Sequence, residues 1–230
     1  MRIGTWNVAN RQLSKKHKKL LTDHGCDIWL LTEINPEWIG GDDKILGFHC
    51  HRSKGFMEPK QYWAAVLSDK PFDQKLNDPH PASAAVVLNK ITYCSSVLPW
   101  RTVKESTFPP IDSKHSKKTE LAIEVLLQKL PTSNLVWGGD WNHSLVGSEG
   151  AGSFDGRKFL LDAIEKFRLQ VPTTDLLHQN GISKTIDHIA VPKNWIATGA
   201  KQIDAKGLSD HDAYVVDVLV CQYAHRSNTP

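Results

Sequence analysis

Cysteine is scarce in this chain, and the four present are far apart. Cys26, Cys50, Cys94 and Cys221 form no C-x-x-C pair, which argues against a zinc ribbon or a redox dithiol. Cys26, Cys94 and Cys221 lie in or beside strand-like runs, where a buried reduced thiol is the ordinary outcome. That usage fits a reducing, cytoplasmic compartment. No apolar run is long enough to span a bilayer, so no membrane partner is expected. The opening Met1-Arg2-Ile3-Gly4-Thr5-Trp6 enters a strand pattern at once, and no secretory signal is expected. Strong net charge is missing too: the formal charge is +3, so global charge alone calls for no polyanion. No repeat, low-complexity tract or linker divides the chain. A single domain over residues 1–230 is expected, and a 40% hydrophobic content supports a sizeable core.

What is present is an alternation of apolar runs and helical patterns. Arg2 to Val8 predicts a strand; Ser14 is an N-cap for a helix to about His24, stopped by Gly25. Cys26 to Leu31 predicts a buried strand, so the chain opens β-α-β. Four further strands are expected at Phe48–His51, Tyr62–Leu67, Ser83–Leu88 and Ile91–Leu98, with Asn89-Lys90 as a hairpin turn. Trp100 to about Lys117 reads as a long polar loop, and Thr119 to Leu130 as a helix with a broad apolar face. Leu135-Val136-Trp137 predicts a strand ending in Gly138-Gly139. Phe159, Leu160, Ala163, Ile164 and Phe167 sit at helical spacing. Thr185–Val191 and Ala213–Val220 close the chain as strands.

Polar residues gather where these strands end. They are Asn7, Glu33, Asp140 with Asn142, Asp187 with His188, and Asp210-His211 after Ser209. Parallel neighbouring strands would bring Asn7 and Glu33 to one sheet edge. Asp140 and Asn142, at i and i+2, would share a face if the chain stays extended; an Asx-type turn is the alternative. Asp187 would orient an imidazole from another strand, and His188 would face the other way in a structural role. His211 supplies that imidazole, and Asp210 a further carboxylate. Hard oxygen donors beside a carboxylate–imidazole pair are what divalent-metal phosphoester chemistry needs.

Thr5-Trp6-Asn7, Leu31-Thr32-Glu33, Gly139-Asp140-Trp141-Asn142, Ile186-Asp187-His188-Ile189 and Ser209-Asp210-His211 together resemble the endonuclease/exonuclease/phosphatase family, whose fold is deoxyribonuclease I-like. The resemblance implies a four-layer α/β/β/α sandwich and a Mg²⁺- or Mn²⁺-dependent phosphoester hydrolase. It implies Glu33 as principal metal ligand, with Asn7 beside it and Asp210 supporting. It implies Asp140 and Asn142 on the attacking water and the phosphate, and His211, oriented by Asp187, on the scissile phosphate. Many members carry a His or Tyr about two residues before a Pro on a central strand; here Val97 holds that place, with Arg101, Tyr93 or Lys104 as possible substitutes. An acid two residues after the first Asn, found in the abasic-site enzymes, is replaced by Ala9. The Tyr-Arg of the inositol-phosphatase branch is replaced by His143-Ser144.

Substrate choice falls to the loops. Trp38, Trp63, Trp100, Trp141 and Trp195 are candidates for base stacking, Trp100 and Trp141 being nearest the site residues. Lys15, Lys16, Lys18 and Lys19, and Lys114, Lys117 and Lys118, form two basic clusters. With Arg101 and Asn7 as further substrate contacts, these favour nucleic acid over a small phosphoester or phosphoinositide. A catalytically silent binding module of the same fold is the third reading.

Overall fold

Period-two alternation along the strands sorts the apolar side chains into three clusters, and these define the layers. The computed structural model describes residues 1–40, 43–57, 60–104, 106–148, 151–179 and 181–220. Cys221 therefore lies outside the described residues. The strands are β1 (Arg2–Asn7), β2 (Ile28–Ile34), β3 (Lys44–Ile45), β4 (Phe48–Arg52), β5 (Phe56–Met57), β6 (Gln61–Ser68), β7 (Gln74–Lys75), β8 (Ser83–Leu88), β9 (Ile91–Ser96), β10 (Leu135–Asp140), β11 (Leu169–Gln170), β12 (Asp187–Pro192), β13 (Ile196–Ile203) and β14 (Ala213–Leu219). The helices are α1 (Lys15–Asp23), α2 (His115–Lys129) and α3 (Phe154–Lys166).

One sheet runs β13-β14-β1-β2-β6-β4-β3, with β5 also paired to β6; the other runs β11-β12-β10-β9-β8-β7. The two sheets have matching centres. In the first, β1 is parallel to β2 and antiparallel to β14. In the second, β10 is parallel to β9 and antiparallel to β12. The carboxyl ends of the parallel pairs and the amino ends of β12 and β14 therefore meet at one end of the molecule.

Ile3, Ile28, Leu30, Val66 and Val216 face Val86, Tyr93, Val136, Ile189 and Val191 between the sheets. Trp6, Trp29, Leu31 and Val215 point the other way and receive Leu20 and Leu21 of α1. Cys94, Trp137 and Ala190 on the outer face of the second sheet receive Ala122, Ile123 and Leu126 of α2, and Leu160, Ala163 and Ile164 of α3. The layers are thus α/β/β/α. Five tryptophans, Trp6, Trp29, Trp63, Trp137 and Trp141, are wholly buried. Each contributes about 4–6 kcal/mol of apolar transfer, before entropy is counted.

Local signals act as expected at several ends. Ser14 accepts the His17 N–H, and the His17 ring returns a bond to the Ser14 N–H, which makes a capping box with imidazole in place of the usual acid. Gly25 then takes φ +57°. Asn89 and Lys90 turn at φ +52° and +63°, the left-handed pair that a two-residue hairpin requires. Others differ from expectation. The strand β13 has no apolar alternation and is an edge strand; its pairing to β14 holds it. Helix α2 begins four residues before Thr119. Among the described residues, no helix is long and apolar enough to cross a membrane.

Candidate active site

Strand parity decides which polar residues meet. Ile3 faces the inter-sheet gap, so Asn7, four residues on, does too. By the same count from Val136 and Ile189, Asp140 and Asp187 enter the gap while His188 leaves it. Asn7 Nδ2 donates to Glu33 Oε1 and to Asp140 Oδ2, both at 3.0 Å, and so joins the two sheets. His211 Nδ1 donates to Asp187 Oδ2 at 2.7 Å. Gln61 of β6 reaches Glu33 Oε2 at 3.5 Å. Asp187 is fully buried, Asp140 nearly so, and the His211 side chain is 13% exposed. Asp210 is exposed at the rim.

Two backbone features allow this approach. Gly138 packs so closely that a Cβ would meet His188 O at 2.5 Å and Leu30 Cδ1 at 2.7 Å, and Gly139, at φ +119°, would drive a Cβ into Ser96 O. Larger residues at either position would push the strand end away from the second layer. Glu33 and Asn142 themselves sit at φ +54° and +52°. Such left-handed conformations cost non-glycine residues about 1–2 kcal/mol and concentrate at functional sites.

The electrostatics oppose the arrangement. Burial and then the charge of Asp140 hold the Glu33 carboxyl above its usual range. Burial, then Asp187, pushes Asp140 up as well. Burial also raises Asp187, although His211 pulls the other way. For His211, burial favours the neutral ring, but Asp187, Asp140 and Asp210 outweigh it and lift the imidazole to about 10. Four carboxylates thus share one imidazolium. This excess of hard oxygen donors fits a divalent cation, which would lie beside Glu33 with Asp140 and Asp210 near. A second group of three potential ligands is richer in nitrogen. His178, on the loop between β11 and β12, has a ligand atom within 4.8 Å of one on Asp187 and one on His211.

Several expectations need correction. One exception is Asn7, which stays as expected beside Glu33: its Nδ2 orders two acids, and its Oδ1 accepts the Ala9 N–H at 2.9 Å with a second lone pair left for a metal. Of the two arrangements expected for Asp140 and Asn142, the structure has the Asx-type turn and not the shared extended face. Strand β10 ends at Asp140, and the Asn142 N–H bonds Asp140 Oδ1 at 2.9 Å in an Asx-type turn, while Asn142 Nδ2 donates to Leu98 O at 2.9 Å. Trp141 cannot stack on a base: its ring is wholly buried, 4.3 Å from Trp137 and 5.1 Å from His188. Trp38, Trp63 and Trp195 are likewise buried, which leaves Trp100, half-buried against Trp63, near the site. Lys118 leaves the basic cluster, because its ammonium is buried and bonded to Val103 O. Tyr93 cannot replace Val97, since its hydroxyl contacts Met1 at the far end of the sandwich. Val97 itself is core. Arg101 is exposed and donates to Gly152 O, and Lys104 is exposed.

Sequence reading also missed three residues. Ser209 Oγ donates to Asn7 O at 2.7 Å and accepts the His211 N–H at 3.1 Å, tying the lead into β14 to the end of β1. Its place in the Ser-Asp-His tripeptide was the available signal. Gln61 and His178 stand outside any motif, and only the fold brings them in. His188 takes the structural role expected of it, donating to His143 O at 2.9 Å and contacting Thr173 Oγ1 at 3.3 Å.

Two layered sheets with acids from both converging on one imidazole define a deoxyribonuclease I-like fold and a site of phosphoester-hydrolase type. The chain belongs to the endonuclease/exonuclease/phosphatase family, whose model matches residues 4–211. That family is hydrolytic and generally depends on a divalent metal. No curated protein sequence matches significantly. Among solved structures, the 3′ phosphatase NExo from Neisseria bound to product DNA hairpin is similar, at 17% identity and TM-score 0.70, over 94% of this chain and 98% of that one. An AP endonuclease from Archaeoglobus fulgidus is 16% identical, with TM-score 0.67 over 96% and 100%. The endonuclease domain of a telomere-specific non-LTR retrotransposon is 14% identical, with TM-score 0.63 over 96% and 99%.

Proposed function

We propose that this protein is a Mg²⁺- or Mn²⁺-dependent nuclease that cleaves nucleic-acid phosphodiesters, the whole chain acting as one domain. The observation that carries the reading is the Asn7 amide bridging Glu33 and Asp140, with the Asp187–His211 pair beside it. A dication held at Glu33, flanked by Asp140 and Asp210, would neutralise phosphate charge and lower the pKa of water. Asp140 is then placed to take a proton from the attacking water. His211, kept protonated by Asp187, donates to a phosphate oxygen and stabilises the charge that grows there. Asn142, anchored on Leu98 O, holds the turn that aims Asp140. Trp100 and Arg101 follow Leu98, whose backbone bonds Asp140 and Asn142, and on this reading they would contact a base and a backbone phosphate.

The test is a substrate panel with Mg²⁺ and Mn²⁺ on wild type, Asp140→Asn and His211→Ala. It holds single- and double-stranded DNA, RNA, 3′-phosphorylated DNA, nucleotides and inositol phosphates. Metal-dependent cleavage of a nucleic acid, lost in both variants and in chelator, is expected. If nucleic acids survive while a small phosphate ester is cleaved, the nuclease assignment falls. If nothing is turned over, the protein is a binding module.

A further inference from the structure

We propose that His178, Asp187 and His211 form a second, inhibitory metal seat, which takes a borderline dication such as Zn²⁺ in place of the proton shared by His211 and Asp187. The word inhibitory rests on the hydrolase reading above; the seat itself does not.

Three observations converge. One potential ligand atom from each residue lies within 4.8 Å of the others. Tetrahedral Zn²⁺, with bonds of about 2.0–2.1 Å, places its ligand atoms about 3.3 Å apart, so closure needs shifts of about 1.5 Å or less. His178 is half-buried between β11 and β12, outside either strand, so the shift can be made by turning its side chain. Second, Asp187 Oδ1 and His178 Nδ1 are both buried with no hydrogen-bond partner among the described residues. Unsatisfied buried polar atoms are costly, and a cation between them would satisfy both. Third, the donors differ in kind from those at Glu33. Two imidazoles and one carboxylate favour Zn²⁺ or Co²⁺, whereas the oxygen set favours Mg²⁺. The rings of His178 and His211 already meet edge to face, 5.2 Å between centroids.

The exchange balances. Zn²⁺ enters, bonds form from it to one nitrogen of each histidine and one Asp187 oxygen, and the proton held between His211 and Asp187 leaves to solvent. A water completes the fourth position. The triad goes from neutral (one imidazolium, one carboxylate, one neutral ring) to a net charge of +1. His211 then keeps only the remaining N–H of a neutral, metal-bound ring, so it loses the imidazolium charge and acidity it would bring to phosphate.

Co²⁺ is the probe, because tetrahedral coordination gives intense visible bands and octahedral coordination weak ones. The full chain is titrated with Co²⁺ in excess Mg²⁺, which fills the oxygen seat. Wild type should develop tetrahedral bands at one equivalent, and Zn²⁺ should bleach them. His178→Ala should bind at least ~10-fold more weakly. In parallel, Zn²⁺ should inhibit Mg²⁺-supported cleavage by wild type at concentrations at least ~10-fold below those that inhibit His178→Ala, each rate taken relative to that variant's own Mg²⁺ value. Only weak bands in wild type, or equal spectra in the two proteins, would overturn the proposal. So would a near-ultraviolet thiolate band, which places the ion on a cysteine. If the protein cleaves no phosphoester, the proposed function fails, and the cobalt spectra still decide the seat.

Discussion

Replacing Asp187 by Asn should move the protonation of His211 by several pH units. In the metal-free protein His211 is lifted to about 10 from an ordinary 6.5, because the buried Asp187 carboxylate lies 2.7 Å from Nδ1. A shift of about 3.5 units is a preference for the imidazolium of about 5 kcal/mol at 1.36 kcal/mol per unit. Asp187→Asn removes both the largest attraction and the hydrogen-bonded carboxylate, while burial still favours the neutral ring. The midpoint should then fall by at least ~2 units. Proton NMR of the His211 ring in chelator, from pH 5 to 10.5, reads this directly. Wild type should show no inflection below about pH 9, and the variant should titrate near or below neutrality. A wild-type midpoint near 6.5, or equal midpoints in the two proteins, would refute the reasoning. The stability sign follows. A raised imidazole contributes stability fully present below pH 6.5 and lost as pH rises toward 10, so the Tm gap between wild type and variant should narrow over that window. Metal-dependent turnover in the variant should drop on the order of 10²–10⁴-fold, as expected for a displaced proton donor.

Asp140→Asn should cut turnover at least ~10²-fold yet raise the Tm of the metal-free protein at pH 8, since it removes a carboxylate that burial and Asp187 disfavour; circular-dichroism melts in chelator check it, and a lowered Tm counts against the site's repulsion. Mg²⁺ should raise the wild-type Tm more at pH 8 than at pH 5, where protons compete for carboxyls held above their usual range, and an equal gain at both pH values would contradict that picture. Gly139→Ala should cost about 3 kcal/mol or more in urea melts, because φ +119° and the Ser96 backbone both resist a Cβ. Trp100→Ala should weaken single-stranded DNA binding by about 1–3 kcal/mol, whereas Trp141→Phe should leave affinity unchanged and lower stability, as separate binding and melting curves would show.

The sequence made the scaffold legible where period-two patterning was strong. Strands β1, β2, β6, β8, β9, β10, β12 and β14 fall within a few residues of expectation, because each buries both faces or one clean face. β13 was illegible for the opposite reason: as an exposed edge it needs only a partner, and its residues carry no burial pattern. At the site, the meeting of Asn7, Glu33, Asp140, Asp187 and His211 could be read from strand ends plus family motifs. What could not be read was backbone sign. Asn142 turns left-handed one residue past Trp141, so the Asx-type turn, one of the two arrangements the spacing allowed, holds over the extended i, i+2 face. Trp141 looked available because it adjoins Asp140, yet the neighbouring position in the chain points to the opposite layer. His178 and Gln61 enter through long-range packing that no local spacing encodes.

The bridge that Asn7 makes between the layers gives the sandwich a mechanical asymmetry. Away from the site, the gap between the sheets is closed by interdigitated aliphatic side chains. At the site end it is closed by polar bonds: the Asn7 amide set between two acids that repel each other, His211 on Asp187, and Ser95 Oγ on Leu31 O. The molecule is therefore a spring-loaded clip, zipped along its length and held at its mouth by a short polar catch. A cation bound beside Glu33 would do more than chemistry in such a device, because it would tighten the mouth. Amides beside the catch, at Val8 and Asp187, should exchange with deuterium faster in chelator than with metal, while those of Val136 and Ile189 stay protected under both conditions.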